Sequence, residues 1–188
     1  MNRARYIAQA GMIAAAYAAA TLLTLYLPFS LGFGLIQFRL SEAVTVLAMF
    51  TPAAIPGLTL GSVIANALNP QATWPFAFLD VVFGSVATML GALWMWNFRD
   101  RTRLALAGPV IANALIVPAY LPVMLEAFGL LGLYNFLGVN VEGSWFTMYL
   151  VGVVAVGIGE ALVVYTLGWG LLEALRRLGL AEVLSRRS

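Results

Sequence analysis

Apolar residues along this chain come in long, nearly unbroken runs rather than at the spacing of a half-buried helix. Runs over roughly 7–27, 77–97, 104–125 and 145–172 reach the about 20 residues that an α-helix needs to cross a bilayer's hydrocarbon. Each predicts a transmembrane helix. Two shorter runs, Leu40–Phe50 and Gly57–Leu68, flank the turn Thr51-Pro52-Ala53-Ala54-Ile55-Pro56, whose prolines interrupt a continuous helix. They predict short helices over 40–51 and 57–68. The chain thus reads as one all-α integral membrane domain, residues 1–188, with six transmembrane helices.

Composition agrees, since 62% of residues are hydrophobic and only 10% charged, too little polar surface to cover a soluble globule of this size. Arg3 and Arg5 precede the first run as in a secretory leader. However, Met12–Leu27 is longer than a leader's apolar region and no small-residue cleavage site precedes a soluble domain; a retained first helix is expected.

All ten basic side chains are arginine. Nine fall into three clusters: Arg3/Arg5, Arg99/Arg101/Arg103 and Arg176/Arg177/Arg186/Arg187. Cytoplasmic loops carry the excess of basic residues. Four crossings and then two put all three clusters, both termini and the 51–56 turn on the cytoplasmic side of the membrane. Arg39 then lies at the outer side. Clustering at helix ends accounts for the net charge of +2 without any nucleic-acid partner. Pro28–Phe38, Asn69–Pro75 and Glu126–Ser144 face outward as candidate lids.

Cysteine, histidine and lysine are all absent. That removes disulfides, thiol nucleophiles, Cys/His metal sites, phosphate-loop lysines and Schiff bases. No cofactor, metal or catalytic activity is expected, and any ATP hydrolysis must belong to another chain.

Charges at bilayer depth cost about 2.5–3.5 kcal/mol each on insertion scales and generally face a cavity or a partner. Glu160, in the middle of the last helix between Gly157, Gly159 and Ala161, is the deepest. It either meets a solute or pairs with Arg39 or Asn113. Arg39 and Glu42 stand three apart at the outer start of the second helix, where they can pair on one face. Asn66, Asn69 and Asp80 fall near the same depth, while Glu126 and Glu142 read as loop residues. Stepping back from Glu160 along one face gives Val156, Val153, Tyr149 and Trp145, an entry path or an interfacial aromatic belt. With Trp74, Phe76, Phe78 and Phe83 nearby, these groups suit a flat heterocycle. Aromatic rings would stack on it, and a carboxylate would accept two adjacent N–H donors from a guanine-type edge.

The first helix carries small residues at Gly11, Ala15 and Ala19 and again at Ala14 and Ala18, a smooth face for close helix packing. That face serves either the bundle itself or a separate membrane partner. Two further ladders, Gly57/Gly61/Ala65 and Gly84/Thr88/Ala92, are expected to pack internally.

The stretch IQFRLSEAVTVLAMFTPAAIPGLTLGSVIANAL (Ile36–Leu68), with LDVVFGSVATML (Leu79–Leu90) and GEALVVYTLG (Gly159–Gly168), resembles the QueT family of substrate-binding S components of energy-coupling factor importers. The resemblance implies a six-helix subunit that binds a queuosine precursor, a deazaguanine base such as prequeuosine base or queuine. It also implies docking onto a transmembrane T component driven by two ATPases. Ala14 and Ala18, or their neighbours Ala15 and Ala19, would be the docking residues, and Arg39, Glu42, Asn66, Asp80 and Glu160 fit an outer-half ligand pocket. On the residues alone, Glu160, Asp80, Glu42, Arg39, Asn66, Asn113, Trp74, Phe76 and Tyr149 are the candidate ligand contacts. The rival readings are an S component for a thiamine-like or pterin-like vitamin and a small proton- or ion-conducting protein built on Glu42, Asp80 and Glu160.

Overall fold

The computed structural model describes residues 3–25, 38–69, 75–127 and 144–180. Within them the chain forms α1 (Arg3–Leu25), a 3-10 helix η1 (Leu40–Met49), α2 (Ala54–Ala67), α3 (Ala77–Asn97), α4 (Thr102–Ala127) and α5 (Trp145–Arg177). The four longer α-helices, α1, α3, α4 and α5, are long and apolar enough to cross a membrane, while η1 and α2 are shorter apolar helices. Their outward faces carry large apolar side chains such as Leu115, Val154 and Ile158, as lipid requires and water would not tolerate. The protein is a membrane protein.

Chain geometry explains how short segments keep pace with long ones. A 3-10 helix rises about 2.0 Å per residue against about 1.5 Å for an α-helix. The 10 residues of η1 therefore extend about 20 Å, close to the about 21 Å of the 14-residue α2. The two run antiparallel through the tight turn at Thr51–Ala53. There the Thr51 hydroxyl accepts from the Ala53 amide at 3.3 Å and contacts Gln9 of α1 at 3.3 Å. Pro56 falls in the first turn of α2, where a missing N–H costs nothing. The sequence placed this pair over 40–51 and 57–68; η1 ends two residues earlier and α2 starts three earlier.

η1 is the axis of the bundle, touching every other helix. Ser41, Glu42, Ala43, Thr45, Val46, Ala48 and Met49 are all buried along it. Two π turns interrupt the long helices, Asp80–Gly84 in α3 and Val164–Gly168 in α5, and both pack against η1 or its neighbours. The second sets Gly168 against η1, where an added Cβ would stand 3.3 Å from Val46 Cγ1. The Leu40 amide donates to Thr24 Oγ1 at 3.2 Å, whereas Thr51 meets Gln9; η1 therefore runs antiparallel to α1. At the other end of α4, the start, Thr102 accepts from Arg176 Nη2 at 3.2 Å. The described basic clusters Arg3/Arg5, Arg99/Arg101/Arg103 and Arg176/Arg177 consequently gather at one end of the bundle, as the arginine pattern predicts.

Glycine lets backbones touch at three seams. A Cβ added to Gly57 would stand 2.8 Å from the Ala10 carbonyl oxygen, and one at Gly61 only 2.7 Å from that of Ala14 and 2.9 Å from Tyr17 Cβ. Between α3 and α4 a Cβ added to Gly91 would come within 2.8 Å of Pro109, and between α4 and α5 one added to Gly152 would come within 2.8 Å of Pro118. The ladders expected to pack internally do so. Ala65, Ala92 and Thr88 are also buried. By contrast, nothing lies within 4 Å of a Cβ at Gly11.

Gly61→Val should therefore lower the thermal unfolding midpoint in detergent by several degrees, because overpacking a tight core costs about 1–3 kcal/mol. Gly11→Ala should leave the midpoint unchanged or slightly raised. Equal midpoints for Gly61→Val and the parent would contradict the α1–α2 seam.

Candidate functional site

Where η1 begins, its first charged residue does not follow the helical pairing its spacing suggests. Arg39 is the residue before η1 and holds an extended backbone (φ −88°, ψ 109°), so it shares no helical face with Glu42. Its guanidinium instead reaches 41 residues along the chain to Asp80, with Nη2 3.3 Å from Oδ2 and both side chains about 5% exposed. The expected Arg39–Glu42 pair is replaced by an Arg39–Asp80 pair, and Arg39 is likewise not the ion-pair partner of Glu160.

Asp80 is fully engaged. Its Oδ1 accepts from the Tyr120 hydroxyl of α4 at 2.7 Å, and Phe83 stacks on the Tyr120 ring with centroids 5.8 Å apart. Its main-chain carbonyl, at the first residue of the π turn, accepts from Asn66 Nδ2 at 2.9 Å. Gly84 completes the arrangement, since a Cβ there would come within 2.8 Å of Asp80 Oδ1 and 3.1 Å of Asn66 Nδ2. Asn66 and Asp80, expected in the site, thus join η1, α2, α3 and α4 around one carboxylate.

Glu42 has different company. Its Oε1 accepts a hydrogen bond from the Tyr17 hydroxyl of α1. The Tyr17 hydroxyl lies 3.5 Å from Thr88 Oγ1, which donates to the Gly84 carbonyl at 3.0 Å and lies 3.3 Å from Ser62 Oγ. Glu160 stands on the buried face of α5 with Gly152, Ala155, Val156, Gly159 and Val163, within electrostatic reach of Glu42 and Arg39. Four of the expected residues, Arg39, Glu42, Asp80 and Glu160, are therefore buried ionisable side chains of one neighbourhood, braced by Asn66.

Several polar atoms of this region have no hydrogen-bond partner: Glu42 Oε2, Glu160 Oε2, Arg39 Nε, Ser41 Oγ, Ser85 Oγ and Asn113 Nδ2. An unsatisfied buried polar group costs about 1–3 kcal/mol, more when charged, so such a concentration of them makes this the candidate site. Asn113, on the buried face of α4, is one of these and does not pair with Glu160. Among the described residues no group of three or more acidic side chains is placed to hold a metal ion.

The aromatic candidates divide. Phe76 and Phe78 are 38% and 55% exposed at the start of α3, and Trp74 lies outside the described residues, as do most of the three candidate lids and Glu142. Tyr149 stacks on Trp145 at 5.4 Å and donates to the Leu115 carbonyl at 3.2 Å. It fastens α5 to α4. On α1, Ala14 and Ala18 are buried against α2, while Ala15 and Ala19 stay exposed. Only Gly11, Ala15 and Ala19 remain as an outward small-residue face. Sequence reasoning passed over Tyr17, Tyr120 and Ser62, and read Thr88 only as a packing rung. Tyr17 had a legible signal, because a tyrosine amid the alanines of GMIAAAYAAA needs a partner for its hydroxyl if buried.

Removing one half of a buried ion pair strands the other, at a cost of about 3–5 kcal/mol. Asp80→Leu should accordingly destabilise the detergent-solubilised protein severely, and the double variant Arg39→Leu/Asp80→Leu should recover most of the lost thermal midpoint. A double variant no better than the single one would refute the pairing.

The sequence model of the family described as QueT transporter matches residues 7–177 of this chain. No curated protein and no solved structure is significantly similar to it.

Proposed function

The chain belongs to the QueT transporter family, and from that premise we propose that it is the substrate-binding S component of an energy-coupling factor importer for a queuosine precursor. It is a membrane transport protein with a small-molecule substrate rather than an enzyme. In the proposed mechanism a deazaguanine base, such as prequeuosine base or queuine, is captured from outside a bacterial cell membrane. The subunit crosses that membrane with six helices, counting η1 and α2, and both termini in the cytoplasm. A transmembrane T component and two ATPase subunits then drive delivery.

The observation that carries this reading is the pair of unsatisfied carboxylate oxygens, Glu42 Oε2 and Glu160 Oε2, among the buried polar atoms without a partner. A guanine-type edge presents adjacent ring N–H and exocyclic amine donors, which a carboxylate accepts two at a time. Glu160 is the proposed acceptor for that edge. Asp80, spent on Arg39 and Tyr120, braces the site instead of touching the base. Ser41, Ser85, Asn113 and Arg39 Nε offer the remaining partners, with Trp74, Phe76 or the region around Tyr149 as stacking surfaces. The exposed Gly11–Ala15–Ala19 face of α1 is the proposed contact with the T component, because small residues let two helix backbones approach closely in lipid.

Equilibrium binding of a deazaguanine precursor to the purified protein, with guanine and thiamine as competitors, tests the ligand class. Selective binding is expected; displacement by thiamine alone would move the protein to another vitamin. Glu160→Gln should weaken binding roughly ten- to hundredfold, the about 1.5–3 kcal/mol of a hydrogen bond to a charged group, with no change in thermal midpoint beyond a few degrees. Unchanged affinity would remove Glu160 from the site. Ala15→Leu and Ala19→Leu should leave solute binding intact yet abolish co-purification with the T component, and intact co-purification would refute the docking face.

A further inference from the structure

The surface that α3 and α4 present to lipid is furrowed rather than evenly ridged. A groove of about 410 Å³ runs between them, and none of the buried ionisable side chains lines it. Small residues of α4 keep its floor low. Gly108 has Trp94 packed where a side chain would stand, since a Cβ there would meet the indole at 2.6 Å, and Ala112 follows one turn later. Trp94 is fixed in place through its Nε1, which donates to the Leu104 carbonyl at 2.8 Å. Leu90 and Leu93 of α3 face Ile111 and Leu115 of α4 across the groove as exposed walls.

Length and polarity along the groove identify what it would hold. From Leu90 to Asn97, and from Gly108 to Ile116, it extends about 10–12 Å at about 1.5 Å per residue. That covers most of the about 15 Å that one leaflet contributes to the hydrocarbon core. One end is apolar throughout, whereas the other finishes in Asn97 and Phe98, next to the turn that carries Arg99, Asp100 and Arg101. Arg101 opens α4: its amide donates to the Phe98 carbonyl at 2.8 Å and its carbonyl accepts from the Ala105 amide at 2.9 Å. Standing two helical turns before Gly108, it shares the groove's face of α4, while Arg103 falls on another face.

The charges nearby leave Arg101 available. Arg99 lies over the Trp96 ring at 4.2 Å, and Arg176 is divided between Glu173 and Thr102. Neither Arg101 nor Asp100 has an ion-pair partner among the described residues. Arg99, Arg101 and Arg103 against the single Asp100 leave this end of the groove cationic. An apolar channel of one leaflet's depth, ending in an amide and a guanidinium, complements an acyl chain that carries a phosphate. A zwitterionic lipid would bring a cation of its own to that charge.

We propose that the α3–α4 groove is a binding site for one anionic phospholipid of the leaflet at the arginine end. An acyl chain lies along Trp94, Gly108 and Ala112, the phosphate rests on Arg101, and Asn97 donates to the ester oxygens. The lipid clamps α3 to α4 at the end of the bundle opposite the Arg39–Asp80 pair, independently of any solute.

Native mass spectrometry of the full-length protein in detergent, titrated with phosphatidylglycerol or with phosphatidylcholine of identical chains, tests the site. The first phosphatidylglycerol should bind at least about tenfold more tightly than the first phosphatidylcholine, as a hydrogen bond to a charged group provides. Arg101→Gln should bring the two lipids level, whereas Arg103→Gln should cost no more than the about fivefold of a surface charge. Ala112→Phe, which fills the floor, should lower retention of both lipids. Equal affinities of the unmodified protein for the two lipids would overturn the site, and so would equal losses in the two arginine variants, which would mark diffuse attraction. Unchanged retention in Ala112→Phe, or a dimer that this variant dissociates, would overturn it as well, the dimer by showing a second copy of the chain in the groove. The comparison of lipids needs no substitution, so a poorly folding variant does not remove the test.

Discussion

A charge that cannot reach water must find its partner inside the fold, and in this protein the Arg39–Asp80 contact meets that demand for the segment at the centre of the bundle. η1 is short, wound as a 3-10 helix and buried along most of its length, so it has little hydrogen-bonding strength of its own. The Arg39 guanidinium fastens its start to the π turn of α3, and Tyr120 and Asn66 draw α4 and α2 onto the same carboxylate and its carbonyl. Much of that end of the bundle is held at that one residue. The energy comes from avoided desolvation losses rather than from the ion pair's net worth, which for a buried pair is small.

The division of labour among three carboxylates follows from where the chain places them. Asp80, at a π turn, has both oxygens and its carbonyl taken. Glu42, one turn into η1, gives one oxygen to α1 through Tyr17 and keeps the other free. Glu160, on α5, keeps an oxygen free as well. A structural brace and two open acceptors thus sit within one electrostatic neighbourhood, and the same residue type serves both purposes because its surroundings differ.

Much of this was legible in the chain. The long helices announce themselves by apolar runs of membrane length, and the arginines by their spacing put the basic ends together. Arg39, Glu42, Asp80 and Glu160 stand out because charge is so rare in such runs. The pairing was not legible. Residues 39 and 42 invite a local pair, and only the extended backbone at Arg39 shows why the guanidinium looks elsewhere. The 3-10 winding of η1 was hidden for a related reason, since its apolar residues satisfy either helical period over so few turns. Small-residue ladders were visible, yet which rung faces inward depends on a few degrees of helix rotation. That rotation buries Ala14 and Ala18 and exposes Ala15 and Ala19.

The seam between α1 and α2 has a mechanical consequence. With carbonyl oxygens of one helix resting where the other has no side chains, at Gly57 and Gly61, the joint has no rotamers to give way, and the two helices must move as one piece. Tyr17, which grips Glu42, and the bare Gly11–Ala15–Ala19 strip lie on opposite sides of the same rod, about 10 Å across. A push on the strip would arrive at Glu42 through a single helix's thickness, with no relay in between.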